Sequence, residues 1–189
     1  MHYYYYMASL PSLSMDEPPP VSSAEFMRNC QRLLEPRDWS ALSRLMQPGE
    51  SGKSSRPFIR RWRDAEASMQ NTTARMRGAR LKRDATQYMH AEEQFDASAE
   101  QAALDAFSRR DPAAREESLD RFRWRQIEML AGTDMFSVDA LFAYALKLRI
   151  AERWASFDRE KGRRRMEAIA AARPGDDRNA EIEARNTDG

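Results

Sequence analysis

The chain has 189 residues, of which 32% are charged and 41% hydrophobic, with 7 glycines and a formal net charge of +1. So few glycines disfavour a barrel or sandwich, which needs many tight turns, and the length suits one domain with room for an extension. The small net charge hides a segmental pattern. Residues 53–83 carry ten cations and two carboxylates (+8), and residues 84–120 carry three cations and ten carboxylates (−7). Two such blocks can pair internally if they lie antiparallel. A nucleic-acid domain is more often basic overall, so no nucleic-acid partner is expected. The single cysteine, Cys30, excludes an internal disulfide and points to a reducing compartment. No apolar run approaches the roughly 18 residues of a membrane span. The opening MHYYYYMASLPSL lacks the basic start of a signal peptide, so the expected location is cytoplasmic.

In chain order, the aromatic run from Tyr3 comes first. Four consecutive tyrosines favour extended backbone, because aromatic rings fit a pleated surface. Alternation puts Tyr4, Tyr6, Ala8 and Leu10 on one face. With no partner strand evident, residues 1–21 are expected to be an extended segment lying across helices, followed by a stiff linker at Pro18-Pro19-Pro20.

Residues 22–48 predict a helical hairpin. Ser22 and Glu25 form a capping box, and Phe26, Met27, Cys30, Leu33 and Leu34 follow at helical spacing. After Pro36, Asp38 is expected to cap a second helix with the stripe Trp39, Leu42, Leu45 and Met46. The loop Gly49–Ser55 contains Gly52-Lys53-Ser54, reminiscent of a phosphate-binding loop. Only Glu50 and Ser51 separate its glycines, a helix precedes it and Pro57 follows, so it reads as a linker.

Residues 57–110 predict a long charged arm. Pro57 suits the first position of a helix expected to run to about Phe95. Trp62, Met69 and Met76 are seven apart, with Ala65, Thr72 and Ala79 interleaved, which makes a weak heptad seam. The acidic block with Leu104 and Phe107 is the expected antiparallel return, and the arm either projects or folds back on the body.

Residues 111–173 predict the C-terminal helices of the core bundle. Asp111 caps a helix with Pro112 at its first position, Leu119, Phe122, Ile127 and Leu130 inward, and Gly132 as its stop. From Ser137 to about Ala172 runs the strongest helical pattern. Phe136 and Leu141 bracket Ser137 as a hydrophobic staple. Leu141, Tyr144, Ala145 and Leu148 line one edge, and Phe142, Leu146, Ile150, Trp154 and Phe157 another. Two apolar edges require neighbours on two sides. Residues 174–189 have the composition of a disordered tail. The fold class expected is all-α, a helical bundle with a long antiparallel hairpin and a short extended N-terminal segment.

Reaction chemistry is absent from the pattern. With His2 and His90 as the only histidines and one cysteine, no zinc site of ordinary ligand type can be assembled. Cys30 sits on an apolar stripe and reads as a small buried hydrophobe. The carboxylates fall beside Arg or Lys on polar faces. Arg163-Arg164-Arg165 suits a basic helix end that complements the helix dipole. No enzyme activity, catalytic residue, metal or cofactor is expected.

Two stretches carry a resemblance. The opening YYYYMASLPSLSMDEPPPVS (Tyr3 to Ser22) is one, and YALKLRIAERWASFDREKG (Tyr144 to Gly162) is the other. Together they resemble a bacterial family of unknown function (domain of unknown function 2764) whose genes sit among those for A/V-type ATPase subunits. The resemblance implies a non-catalytic, C/d-like ATPase component, in the place of the all-helical central-stalk socket that seats the rotor shaft on the membrane ring. The chain is shorter than that socket and shows no threefold repeat. The implied partners are the rotor shaft and proteolipid ring, with membrane contact only indirect and a location peripheral to the inner membrane. The family-motif or interface residues implied are Tyr4, Tyr6, Leu10, Pro11 and Leu13 in the first stretch. In the second they are Tyr144, Lys147, Leu148, Arg153, Trp154 and Gly162. The alternatives are a peripheral-stalk or coiled-coil scaffold of the same ATPase, motivated by the Trp62–Met69–Met76 seam, and an unrelated helical adaptor.

Overall fold

The computed structural model describes residues 3–47, 54–91 and 95–156. Among these the chain is all-helical, with α1 (Tyr3–Ser9), α2 (Ser23–Leu33), α3 (Pro36–Met46), α4 (Pro57–Leu81), α5 (Ala97–Ser108), α6 (Pro112–Ala131) and α7 (Val138–Ser156), plus a 3-10 turn at Thr86–Tyr88. Gly162, the Arg163–Arg165 cluster, most of the Gly49–Ser55 loop and residues 174–189 lie outside the described residues.

The aromatic opening is helical, not extended. Tyr3, Tyr6, Met7 and Leu10 fall at i, i+3, i+4 and i+7 and pack against the core, while Tyr5 is 84% exposed. An extended chain without a partner strand would leave its amides and carbonyls unpaired, whereas a helix satisfies them internally. Seven residues are too few to be stable alone, so this helix depends on its packed face.

α2 begins as its sequence dictates. The Ser22 hydroxyl accepts from the Glu25 amide at 3.2 Å. A carboxylate from α7 completes the cap: Glu152 accepts from the Ser23 amide and hydroxyl, both at 2.6 Å. Negative charge at a helix N-terminus complements its dipole, so this contact ties α2 to α7. α3 starts earlier than expected, with Glu35 at the cap and Pro36 at the first position. Asp38 therefore stands inside the first turn and pairs with Arg56 instead of capping. The Arg56 guanidinium also lies 5.3 Å from the centre of the Phe142 ring, so the residue that opens α4 clamps both α3 and α7.

α4 ends at Leu81, well short of Phe95, with Lys82 in a left-handed conformation (φ 52). The chain then folds back along α4. The Arg83 amide donates to the Gly78 carbonyl at 3.0 Å. Buried Asn71 donates to the His90 carbonyl at 2.9 Å and accepts from the His90 amide at 2.6 Å. The Ser68 hydroxyl accepts from the Asp96 amide at 3.0 Å. This return places the start of α5 beside the middle of α4, so α5 runs parallel to α4. Ser68 meets Asp96, Arg75 meets Glu100 and Arg80 meets the Phe107 carbonyl, in ascending order on both helices. The expected antiparallel pairing within residues 57–110 is thus replaced. The antiparallel partner of α4 is α6, where Arg123 reaches Glu66 at 2.6 Å.

Two cores result. The larger gathers Phe26, Leu42, Phe58, Trp62, Ile127 and most of α7, whose Leu141, Phe142, Ala145 and Leu148 are fully buried. The smaller packs Ala99, Ala103 and Ala106 of α5 against Ala65 and Met69 of α4 and Leu119 of α6. Alanines at this spacing let α5 approach its neighbours closely. α4 and α6 pass through both cores, and α7 is the two-sided core helix that its pattern predicts.

Candidate functional site

The sequence-predicted residues fall into two groups, one at each end of α7. At the first, the two motif stretches meet. The Tyr144 hydroxyl donates to the Pro11 carbonyl at 3.1 Å. Its ring stacks on Phe26 at 5.2 Å between centres, and Phe26 in turn lies 6.0 Å from Tyr6. Asn29 donates to the Tyr6 hydroxyl at 3.3 Å. Leu10 and Leu13 pack on the same core, while Tyr4 stacks on Tyr3 at 4.6 Å and meets the edge of Phe136 at 6.1 Å. Burial pushes the Tyr144 phenol up to about 12, with the nearby Tyr6 adding to it. Burial likewise raises Tyr6, partly opposed by the Asn29 hydrogen bond.

One turn along α7, the Lys147 ammonium sits 4.5 Å above the Trp124 ring and 2.8 Å from Glu128. The Trp124 indole donates to the same Glu128 oxygen at 3.1 Å, which locks α6 to α7. Leu148 is fully buried and belongs to the core.

The second group surrounds a carboxylate that its sequence context places on a polar face. Asp120 is wholly buried. Arg123 donates to one of its oxygens at 2.8 Å, and the Trp154 indole donates to the other at 2.7 Å. Arg153 pairs with the second oxygen as well. The Arg123 guanidinium continues to Glu66 at 2.6 Å, so the chain Glu66–Arg123–Asp120–Arg153 alternates in sign across α4, α6 and α7. A buried charge without such partners would be costly; here both oxygens are occupied. The arrangement can fix three helices relative to one another. Held this way from three helices, Asp120 acts as a latch between them.

Sequence reasoning singled out Arg153 and Trp154 but missed Asp120, Arg123 and Glu66. A signal existed. Asp120 stands seven residues before buried Ile127, as Leu119 stands seven before buried Gln126, so α6 has two buried stripes, each half polar. Among the described residues, no group of His, Cys, Asp and Glu could hold a metal ion, and no helix is long and apolar enough to cross a membrane.

Residues 99–172 match the family described as Protein of unknown function (DUF2764). The match spans less than half of the 189 residues. It contains Asp120, Arg123, Arg153 and Trp154 as well as the Tyr144–Gly162 stretch; Glu66 and the Tyr3–Ser22 stretch lie outside it. No curated protein and no solved structure matches the chain.

Proposed function

We propose that this chain is a non-catalytic helical component of a bacterial A/V-type ATPase, in a central-stalk C/d-like position between the rotor shaft and the membrane ring. The observation that carries the reading is the contact between the two resembling stretches, through Tyr144 and Pro11. Residues 133 positions apart in sequence are joined by this bond, and Phe26 lies between the rings of Tyr144 and Tyr6, as expected if the two stretches serve one role. An adaptor that passes torque must keep its helices in register, and the Glu66–Arg123–Asp120–Arg153 chain supports that demand. Its location would be cytoplasmic, peripheral to the inner membrane through its partners.

The peripheral-stalk alternative rests on the seam of α4. Trp62 and Met69, two of its three seven-spaced residues, are 6% and 1% exposed, covered by this chain's own helices, which leaves only the Met76 end of that stripe for a second coiled-coil strand. The central-stalk reading is therefore preferred.

The test is affinity capture of the tagged full chain from a native membrane extract, with co-purifying proteins identified by mass spectrometry. The expected result is recovery of ATPase catalytic and stalk subunits; their complete absence overturns the reading. Crosslinks to shaft and ring distinguish the central position from links to the exterior of the catalytic head.

A further inference from the structure

We propose that the end of the bundle where α4 and α5 stop is a docking surface for an anionic phospholipid membrane. The parallel course of these helices brings their C-terminal ends together with the start of α6. Three guanidiniums surround one buried ring there: Arg115, Arg80 and Arg77 lie 5.2, 5.4 and 5.9 Å from the centre of Phe107. Arg80 also donates to the Phe107 carbonyl at 3.1 Å, and Arg115 donates to the Arg109 carbonyl at 3.0 and 2.9 Å. These contacts satisfy the end of α5, yet they leave the positive charge uncancelled.

Around this cluster Lys82, Arg83, Arg109 and Arg110 are exposed. Among the described residues none of the four has a carboxylate within ion-pairing distance. Two neighbouring acids are engaged locally. Asp84 accepts from the Thr86 amide and hydroxyl at 3.0 and 2.7 Å, and Asp111 accepts from the Ala113 and Ala114 amides at 3.1 and 3.2 Å. Cations outnumber carboxylates at this end, and an excess of positive charge held in one place calls for a polyanion.

The apolar neighbours decide which polyanion. Leu81, Tyr88 and Met89 are 67%, 65% and 42% exposed. They sit on the stretch that Gly78 and Asn71 pin along α4. A nucleic acid or an acidic protein would gain little from Leu81, exposed next to Lys82 and Arg83, or from Tyr88, exposed further back on the returning stretch. A bilayer interface takes both kinds: basic side chains meet the phosphates, the tyrosine ring sits at headgroup level, and the aliphatic chains enter the acyl boundary. Direct lipid contact of this kind would add to any placement at the membrane through partner subunits and stands without it.

The test is co-sedimentation of the full chain with vesicles of phosphatidylcholine alone, or with a third of the lipid replaced by phosphatidylglycerol. Binding is expected on the anionic vesicles only and should fall with salt. The variant Lys82→Glu/Arg83→Glu/Arg109→Glu/Arg110→Glu should bind at least about tenfold more weakly, with helicity checked by circular dichroism. Leu81→Ser/Tyr88→Ser should also weaken it. Arg28→Glu/Arg37→Glu, exposed on α2 and α3, should bind like the parent. Equal binding to neutral vesicles, no binding to either, or an unchanged four-site variant overturns the proposal. So does competition by duplex DNA that leaves the Leu81/Tyr88 variant unaffected, which would make the surface one for nucleic acid.

Discussion

The Trp154 indole, on the last described turn of α7, donates at 2.7 Å to Asp120, a fully buried carboxylate on α6. The two residues are 34 apart in sequence, and the bond fixes how the two helices are rotated against each other. Removing the carboxylate takes a buried acceptor from the Trp154 indole and leaves Arg123 with Glu66 alone. Asp120→Ala should therefore cost about 3–5 kcal/mol, the range for breaking a buried pair from one side. The Arg153 side chain is 51% exposed, so Arg153→Ala should cost about 1 kcal/mol or less. Trp154→Phe keeps most of the packing and removes the donor; a hydrogen bond to a charged group is worth about 1.5–3 kcal/mol. Urea unfolding measures all three, and similar costs for Asp120→Ala and Arg153→Ala would refute the latch.

The parts of the fold legible in the sequence are those set by local chemistry. Ser22 and Asp111 cap helices where their spacing says they should, Ser137 accepts from the Ala140 amide at 3.0 Å, and Gly132 closes α6 with φ 71. The parts that were not legible depend on distant partners. Four identical residues in a row carry no period of their own, so Tyr3–Tyr6 could be read as strand until the core showed which rings it needs. Asn71, Thr72 and Thr73 are poor helix formers in the middle of α4. Yet Asn71 is 2% exposed and holds the returning backbone at His90. Asp120 looks solvated because cations flank it, and its burial follows only once α7 lies across α6. The same distance dependence hid the candidate site: Arg153 and Trp154 stood out, but the carboxylate joining them did not.

Gly78 offers a test of the folded-back stretch. In an exposed helix Gly→Ala usually stabilises by up to about 1 kcal/mol. Here an added Cβ would lie 2.8 Å from the Arg83 carbonyl oxygen and 3.0 Å from the Ala85 Cβ. Backbone would have to move, so Gly78→Ala should lose that gain and loosen residues 82–91. Limited proteolysis should show faster cleavage in this stretch; cleavage as slow as in the parent, with raised stability, would contradict the packing.

Cys30 should be inert in the native protein. It is fully buried, and burial alone pushes its thiol up to about 12. The thiolate is the reactive species, so neutral solutions hold almost none of it and reagent cannot reach it. An aromatic disulfide reagent should react with one thiol only after denaturant unfolds the chain. Rapid reaction of the native protein would mean that α2 opens readily.

The aromatic face between α1 and α7 should make stability sensitive to alkali. Burial pushes the Tyr144 phenol up to about 12, and Tyr3 reaches about 12 through burial and its neighbour Tyr4. An unfolded tyrosine ionises near 10. A folded value raised above the unfolded one leaves stability intact below about pH 10 and removes it as pH climbs toward about 12, because only the unfolded chain can release the proton easily. Urea unfolding across that window should show a falling free energy, with tyrosinate absorbance rising in step with the loss of structure. Tyr144→Phe should cost about 1 kcal/mol at neutral pH, for the lost bond to the Pro11 carbonyl. It should also flatten the alkaline decline, since one ionising group is gone. A variant whose decline is as steep as the parent's would show that Tyr144 is not part of the alkaline response, and that its contact with Pro11 is looser than the 3.1 Å hydrogen bond implies.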